Sequence, residues 1–357
     1  MTDNLETSSL SLACQQAEQE LVTIRDFIRF CVTQLNAHDV FIAQGSTDPF
    51  AEAVAMVMNT LSLSWSADEQ ILDSRLISAE KHAVLALLQE RINTRQPLSY
   101  LINLAYFCGL PFYVDERVLI PRSPIAELIK AQFAPYFAPA GFDEFTDFDN
   151  ELGELLDDNI LANGLPAKFL SAPERMLDLC TGSGCIAIAL ATYFPDAMVD
   201  ASDLDKEALE VSAVNVEHHA LNNSSLEHQI NLFESDLFAK LPADNQYDLI
   251  VTNPPYVDAE AMAELPPEFE HEPAHALQAG QDGLDLVHRI LNDAPDYLSE
   301  NGLLVCEVGD SEWHLRQAYP QIDFHWLVFE HGGHGVFAIT RNELMAHREA
   351  FAKMVST

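Results

Sequence analysis

Apolar residues recur at helical spacing from about Leu10 to Leu101, as in Leu21, Ile24, Phe27/Ile28 and Cys31, and again in Val84, Leu85, Leu88 and Ile92. That period predicts a small set of amphipathic helices. Between Tyr106 and Arg122 the pattern shortens to β-like runs, Tyr106-Phe107, Phe112-Tyr113-Val114 and Val118-Leu119-Ile120-Pro121. Gly109-Leu110-Pro111 separates the first two, so the segment reads as a hairpin connector. From Met176 onward candidate strands at 176–180, 197–201, 228–233, 247–252 and 302–308 alternate with helical patterns, which predicts a doubly wound α/β sheet. A last pair, Phe324 to Phe329 and Gly335 to Thr340, is joined by His331-Gly332-Gly333-His334. That connection is too short for a helical crossover, so the pair is expected to be antiparallel. The organisation predicted is helical over 1–104, a hairpin connector over 105–123, a helix and insertion over 124–173, the sheet domain over 174–345 and a tail over 346–357.

Composition sharpens this picture. With 357 residues and 48% hydrophobic residues the chain has material for a buried core in about two domains. Its 18 Lys and Arg face 56 Asp and Glu, a formal net charge of −38. A protein that grips phosphates gathers basic residues on one face, so direct nucleic-acid binding is not expected. A basic partner fits the charge, and a salty or cold habitat would produce the same acidity. Asp143 to Asp158 holds eight acids and no base, which reads as a solvated insertion or linker. No stretch of about 20 residues is apolar throughout, and Met1 to Ser11 lacks the basic and apolar regions of a secretory signal. No membrane association and a cytoplasmic location are expected. Six cysteines lack any C-x-x-C spacing, which points to buried free thiols.

Two segments carry candidate chemistry. Met176 to Cys180 leads as a strand into Thr181-Gly182-Ser183-Gly184-Cys185 and then a helical run, Ile186 to Ala191. Glycines there allow a tight turn and close approach of a ligand, and the helix start offers free N–H groups. Asp203 follows Gly184 by 19 residues, just after the next strand, where a carboxylate accepts from ribose hydroxyls. On spacing alone a dinucleotide enzyme fits too, and the rival reading of Asp203 is the N-cap of the helix that follows. The second segment is Asn253-Pro254-Pro255-Tyr256, at the carboxyl end of the strand Tyr247 to Thr252. Two prolines fix φ and remove two donors, leaving the Asn253 side-chain oxygen and the Pro254 carbonyl to converge on one planar NH2 group, on which Tyr256 can stack. Orienting such a nitrogen at an electrophilic methyl group supplies what a delocalised lone pair lacks.

At these residues the chain resembles the class I S-adenosylmethionine-dependent methyltransferases that act on planar nitrogen. Arg91-x-x-x-Arg95-x-Pro97-Leu98-x-Tyr100-Leu101, Phe112-Tyr113-Val114 and Val118-Leu119-Ile120-Pro121-Arg122 are similar to segments of the protein-glutamine N5-methyltransferases. In that family one branch modifies peptide-release factors and the other large-subunit ribosomal protein uL3. Asp115 to Leu128 and Leu177 to Ala187 resemble the ribosomal branch, the other usually having Pro-Arg-Pro-Asp-Thr-Glu and a glycine where Cys180 stands. The resemblance covers nearly the whole chain apart from Gly141 to Pro173. It implies a class I methyltransferase sheet with an N-terminal substrate-recognition region, and S-adenosylmethionine as methyl donor. Asp178, Thr181, Gly182, Ser183 and Gly184 would lie at the cofactor, with Asp203 on the ribose and Asp236 near the adenine amino group. Asn253, Pro254, Pro255 and Tyr256 would hold the glutamine amide, Asn253 also facing the cofactor. The implied partner is uL3, free or in early assembly. Asp236 reads alternatively as a loop cap.

Competing motifs are weaker. His271-Glu272-Pro273-Ala274-His275 matches H-E-x-x-H literally, but both histidines share a metal only on one face of a continuous helix, which Pro273 opposes. No metal is expected there, nor at His331 and His334. A nucleic-acid adenine methyltransferase shares the tetrapeptide and is opposed by the charge. A non-catalytic regulator on the same fold is opposed by the intact motifs.

Overall fold

The computed structural model describes residues 3–64, 66–134, 136–137, 171–242, 244 and 246–355. The acidic insertion anticipated at Asp143 to Asp158 lies outside these residues. Two compact units divide the chain.

The first unit takes residues 1–105 together with 114–116 and 265–272. Its helices are α1 (Asp3–Glu20), α2 (Ile24–Ala37), α3 (Pro49–Thr60), α4 (Ser78–Thr94) and the single turn α5 (Leu98–Leu101). The start of α2 is set by a capping box: Thr23 Oγ1 accepts from Asp26 N, and the Asp26 carboxylate accepts from Thr23 N at 2.8 Å. Asp48 caps α3, with Pro49 at its first position. The apolar stripes anticipated from the sequence meet in one cluster, including Phe27, Cys31, Met56, Val57, Val84, Leu88 and Ile92. A charged group is buried beside it. Arg91, 1% exposed, donates from Nε to Glu52 Oε1 at 2.8 Å and from Nη2 to the Phe41 carbonyl at 2.9 Å. Glu268 lies 3.8 Å from Arg91 and 3.4 Å from Arg95, and it also accepts from Phe41 N.

The second unit opens on a hairpin, β1 (Ala105–Phe107) and β2 (Leu110–Phe112). Its turn is Cys108-Gly109, both at positive φ (53° and 81°), the conformation that matches the twist of paired strands. Leu110 and Pro111 are therefore strand residues, not the expected break, and Pro111 lacks only a donor that a two-stranded ribbon does not require throughout. Val118 to Pro121, expected as a β-like run, forms no strand. Short apolar runs do not distinguish strand from buried loop, and Val118 and Ile120 are buried as loop residues. After α6 (Ile125–Lys130) a seven-stranded sheet runs β5-β4-β3-β6-β7-β9-β8. Its strands are β3 (Arg175–Leu179), β4 (Met198–Asp203), β5 (Ile230–Glu234), β6 (Tyr247–Thr252), β7 (Leu298–Glu307), β8 (His325–Trp326) and β9 (Val336–Thr340). The first five are parallel, and β9 pairs antiparallel with both β7 and β8. This is the doubly wound sheet with an antiparallel last pair that the pattern predicts.

Strand alternation sorts the core into two layers. Met176, Leu249, Val251, Leu303 and Val305 pack on one face with α7 (Cys185–Tyr193). Leu177, Leu179, Ile250, Leu304 and Cys306 pack on the other with α9 (Asp285–Tyr297), while α8 (Lys206–Ala220) follows β4. Residues one apart thus serve opposite layers, as a sheet covered on both sides requires. No helix among the described residues is long and apolar enough to cross a membrane.

Candidate active site

The strand order reverses between β3 and β6, and a cavity of about 470 Å³ opens in the second unit among the loops at the carboxyl ends of the parallel strands. Crevices at such switch points are where open α/β sheets bind ligands. The loop after β3 contributes Thr181, Gly182 and Ser183 to its lining, β4 contributes its last residue, Asp203, and the loops after β5 and β6 contribute Asp236 and then Asn253 and Pro255.

The glycine loop is held from beneath. Asp178, fully buried, accepts the Thr181 hydroxyl at 2.5 Å and Ala187 N at 3.0 Å through Oδ2, and its Oδ1 has no partner. Gly182 and Gly184 lie at φ of 55° and 79°, and a Cβ on Gly184 would come within 3.3 Å of Ser212. Cys180 takes the same left-handed conformation at φ 60°. Helix α8 fixes the loop from the side: Ser212 Oγ donates to the Gly182 carbonyl at 2.6 Å, and Asn215 Nδ2 to that of Ser183 at 2.8 Å. Neither α8 residue stood out in the sequence, since a polar residue on a helix carries no local mark of a partner some thirty positions away. Asp178 and Gly184 do not line the cavity themselves; they shape the loop that does.

Asp203 crosses to that loop. Its Oδ2 accepts from Gly182 N and its Oδ1 from Asp205 N, each at 2.9 Å. The helix cap is Asp205 instead, accepting from Glu207 N at 2.8 Å. Burial pushes the Asp203 carboxyl up, against the two backbone hydrogen bonds. Asp236 lines the cavity and accepts from Arg289 Nη2 at 2.8 Å, so its side chain caps no turn. In the tetrapeptide, Asn253 Oδ1 is a buried acceptor with no partner, Pro254 is buried and Pro255 lines the cavity. Tyr256 lies outside the lining and donates its hydroxyl to Glu307 at 2.8 Å. Arg122, Ser123, Leu204, Leu237, His275 and Leu286 also line the cavity; Arg122 and Ser123 fall in the Asp115 to Leu128 segment and His275 in the H-E-x-x-H match, but the sequence singles out none of the six as a site residue.

H-E-x-x-H forms no continuous helix. Pro267–His271 and Ala274–Ala276 are separate 3-10 turns on either side of Glu272-Pro273. His271 Nε2 lies 2.9 Å from the Thr94 carbonyl, Glu272 accepts from Gln44 Nε2 at 2.8 Å, and His275 lies 3.0 Å from Asp205.

The buried Asp178 carries a pH signature. Burial, only partly opposed by the Thr181 and Ala187 hydrogen bonds, pushes its carboxyl up to about 7. An unfolded carboxyl titrates near 3.9, so folding takes up a proton between about pH 4 and 7, and Asp178 costs stability as pH rises through that window. Asp178→Asn keeps an acceptor oxygen and removes the titration. Its unfolding midpoint is expected to gain on that of the wild type between about pH 4 and pH 8; parallel pH profiles would contradict this.

The sheet and its switch-point cavity are those of a class I methyltransferase, and the family model for the methyltransferase small domain matches residues 157–280. The ribosomal protein uL3 glutamine methyltransferase of Bradyrhizobium diazoefficiens is 44% identical over 91% of this chain and 92% of its own length. That of Francisella tularensis subsp. tularensis is 37% identical over 95% and 98%. Among solved structures, the hMettl16 catalytic domain in complex with an RNA hairpin is 17% identical, with a TM-score of 0.41 over 72% of this chain and 80% of that one. The chain belongs to the ribosomal protein uL3 glutamine methyltransferase family.

Proposed function

We propose that this protein transfers a methyl group from S-adenosylmethionine to the side-chain amide nitrogen of a glutamine in ribosomal protein uL3. The observation that carries the reading is the Asn253 side-chain oxygen, a buried acceptor left without a partner beside the cavity. A buried acceptor of this kind costs about 1–3 kcal/mol unless a ligand supplies the donor, and an amide NH2 group is such a donor. Family membership supports the same substrate chemistry.

The residues present fit the cofactor. A cavity of about 470 Å³ is of small-molecule size. Each Asp203 oxygen spends one lone pair on a backbone N–H and keeps another for a ribose hydroxyl. Leu204, Leu237 and Leu286 offer apolar wall for an aromatic ring, and Asp236 an acceptor at its edge. The loop from Thr181 to Gly184 presents backbone to the polar end. Bound there, S-adenosylmethionine supplies an electrophilic methyl group. Asn253 Oδ1 and the Pro254 carbonyl hold both hydrogens of the amide and aim the face of its nitrogen, which provides the alignment a delocalised lone pair requires. No general base is needed before attack, because the nitrogen sheds its extra proton to water after the methyl is on it.

Calorimetry tests cofactor recognition. Asp203→Ala is expected to weaken S-adenosylmethionine binding by about 1–3 kcal/mol, the cost of charge-assisted hydrogen bonds left unmade. Tight binding of a nicotinamide dinucleotide with none of S-adenosylmethionine would overturn the assignment.

The charge bears on the form of the substrate. A net charge of −38 attracts a basic protein in isolation and is repelled by RNA phosphates once that protein is assembled. Purified uL3 is therefore expected to be methylated faster than uL3 in intact large subunits, with the rate on free protein falling as salt is raised. Equal rates on both, or a salt-independent rate, would remove charge steering from the account.

A further inference from the structure

We propose that Glu307 is a positioning residue for the Asn-Pro-Pro-Tyr segment, acting through the Tyr256 hydroxyl; the inference rests on the methyl-transfer reading above. Sheet register places it. Thr252 of β6 pairs with Cys306 of β7, so Asn253, the residue after β6, follows beside Glu307, the last residue of β7. Glu307 is 4% exposed, where a carboxylate needs partners of its own. It has two hydroxyl donors: Tyr256 to Oε1 at 2.8 Å and Ser123 to Oε2 at 2.5 Å. Ser123 in turn accepts from Ile125 N and lines the cavity. One buried carboxylate thus ties the end of the tetrapeptide to Ser123, a residue of the cavity wall.

Tyr256 is held at two further points. The single hydrogen of the Ser311 hydroxyl is shared between the Tyr256 carbonyl, at 2.8 Å, and that of Asp282, at 3.0 Å. Its ring lies against Gly309, at φ 48°, where an added Cβ would collide with the ring edge. Carbonyl, ring and hydroxyl are all fixed, and two prolines with restricted φ lie between Tyr256 and Asn253. Fixing the tyrosine therefore limits the orientations open to the asparagine. The hydrogen bond to Glu307 restrains the far end of the ring, and a hydroxyl donating to a carboxylate is charge-assisted.

The test compares Glu307→Ala, Glu307→Gln, Tyr256→Phe and the Tyr256→Phe/Glu307→Ala double variant with the wild type, in steady-state transfer to uL3 and in calorimetry with S-adenosylmethionine. Glu307→Ala and Tyr256→Phe should each lower kcat between about ten- and a hundredfold, as loss of alignment does, with cofactor Kd unchanged. The double variant should be no slower than the slower single one, and Glu307→Gln, which keeps an acceptor oxygen, should restore most of kcat. Multiplicative losses, or a drop in cofactor affinity matching the drop in kcat, would overturn the proposal. Where Glu307→Ala fails to fold, the near-isosteric Tyr256→Phe decides: full kcat overturns the proposal, and a selective loss of kcat supports it. A wild type that transfers no methyl group counts against the reading of function instead. Nuclear magnetic resonance of the labelled tyrosine then judges the clamp: ring flipping slow in the wild type and in Glu307→Gln but fast in Glu307→Ala supports it, and flipping equally fast in the wild type and Glu307→Ala overturns it.

Discussion

Asn253→Ala is expected to lower methyl transfer by about a hundred- to a thousandfold, the range seen when one preorganised hydrogen-bonding group is taken from a reacting centre. Cofactor affinity should change little. Asn253 Oδ1 is buried beside the cavity with no partner in the protein, so removing it breaks no internal hydrogen bond and the fold has little reason to respond. The substrate amide loses one of two acceptors, and the loss is felt where its nitrogen must face the methyl group. Asn253→Asp offers a contrast, since it keeps the acceptor oxygens and adds a charge at a partly buried site. Steady-state kinetics beside calorimetry separates the effects: a large fall in kcat with constant cofactor Kd is predicted, and a variant that transfers at the wild-type rate would remove Asn253 from the chemistry.

Arg91→Ala is expected to destabilise the first unit by about 3–5 kcal/mol, the cost of stripping a buried carboxylate of its cation. Arg91 and Glu52 are 1% and 2% exposed and in contact at 2.8 Å, with Glu268 near the same guanidinium. Burial already pushes the Glu52 carboxyl up, against the pull of Arg91. Without the arginine that carboxylate stays buried and unpaired until it takes up a proton, so the difference from the wild type should shrink as pH falls. Replacing Arg91 by Met together with Glu52 by Leu should recover part of the loss, because the charge that needed a partner is then gone. Urea unfolding measures all three; a loss under about 1 kcal/mol for Arg91→Ala would show that the pair is solvated in a way its burial does not suggest.

Much of this architecture is legible in the residues. The run from Met176 to Ala191 writes a strand, a glycine turn and a helix in order, and β3 and α7 lie there. The short link between the last two strands forbids a crossover, and β9 pairs antiparallel with β8. What could not be read depends on conformation or on distance along the chain. Cys108 occupies a left-handed turn position that residue type does not disclose, so the hairpin turn falls one residue before the Gly109-Leu110-Pro111 break. Asp203 reads by spacing as a ribose acceptor or as the cap of the next helix, and only the hydrogen bonds give the cap to Asp205 and the glycine loop to Asp203. Tyr256 with Glu307 and Asp236 with Arg289 are separated by 51 and 53 residues; they meet through sheet register and helix packing, which no local pattern records. The Arg91-x-x-x-Arg95 spacing was visible, but its partner Glu268 was not, because that residue lies in the segment following the tetrapeptide and belongs to the first unit.

The central claim is that a methyl group passes to a glutamine amide nitrogen of uL3, and tandem mass spectrometry of purified uL3 incubated with enzyme and isotope-labelled S-adenosylmethionine tests it most directly. The account predicts a single labelled methyl group on the side chain of one glutamine, absent when Asn253→Ala replaces the wild type. Label on a lysine, on a terminus or on RNA, with every glutamine of uL3 unmodified, would contradict it.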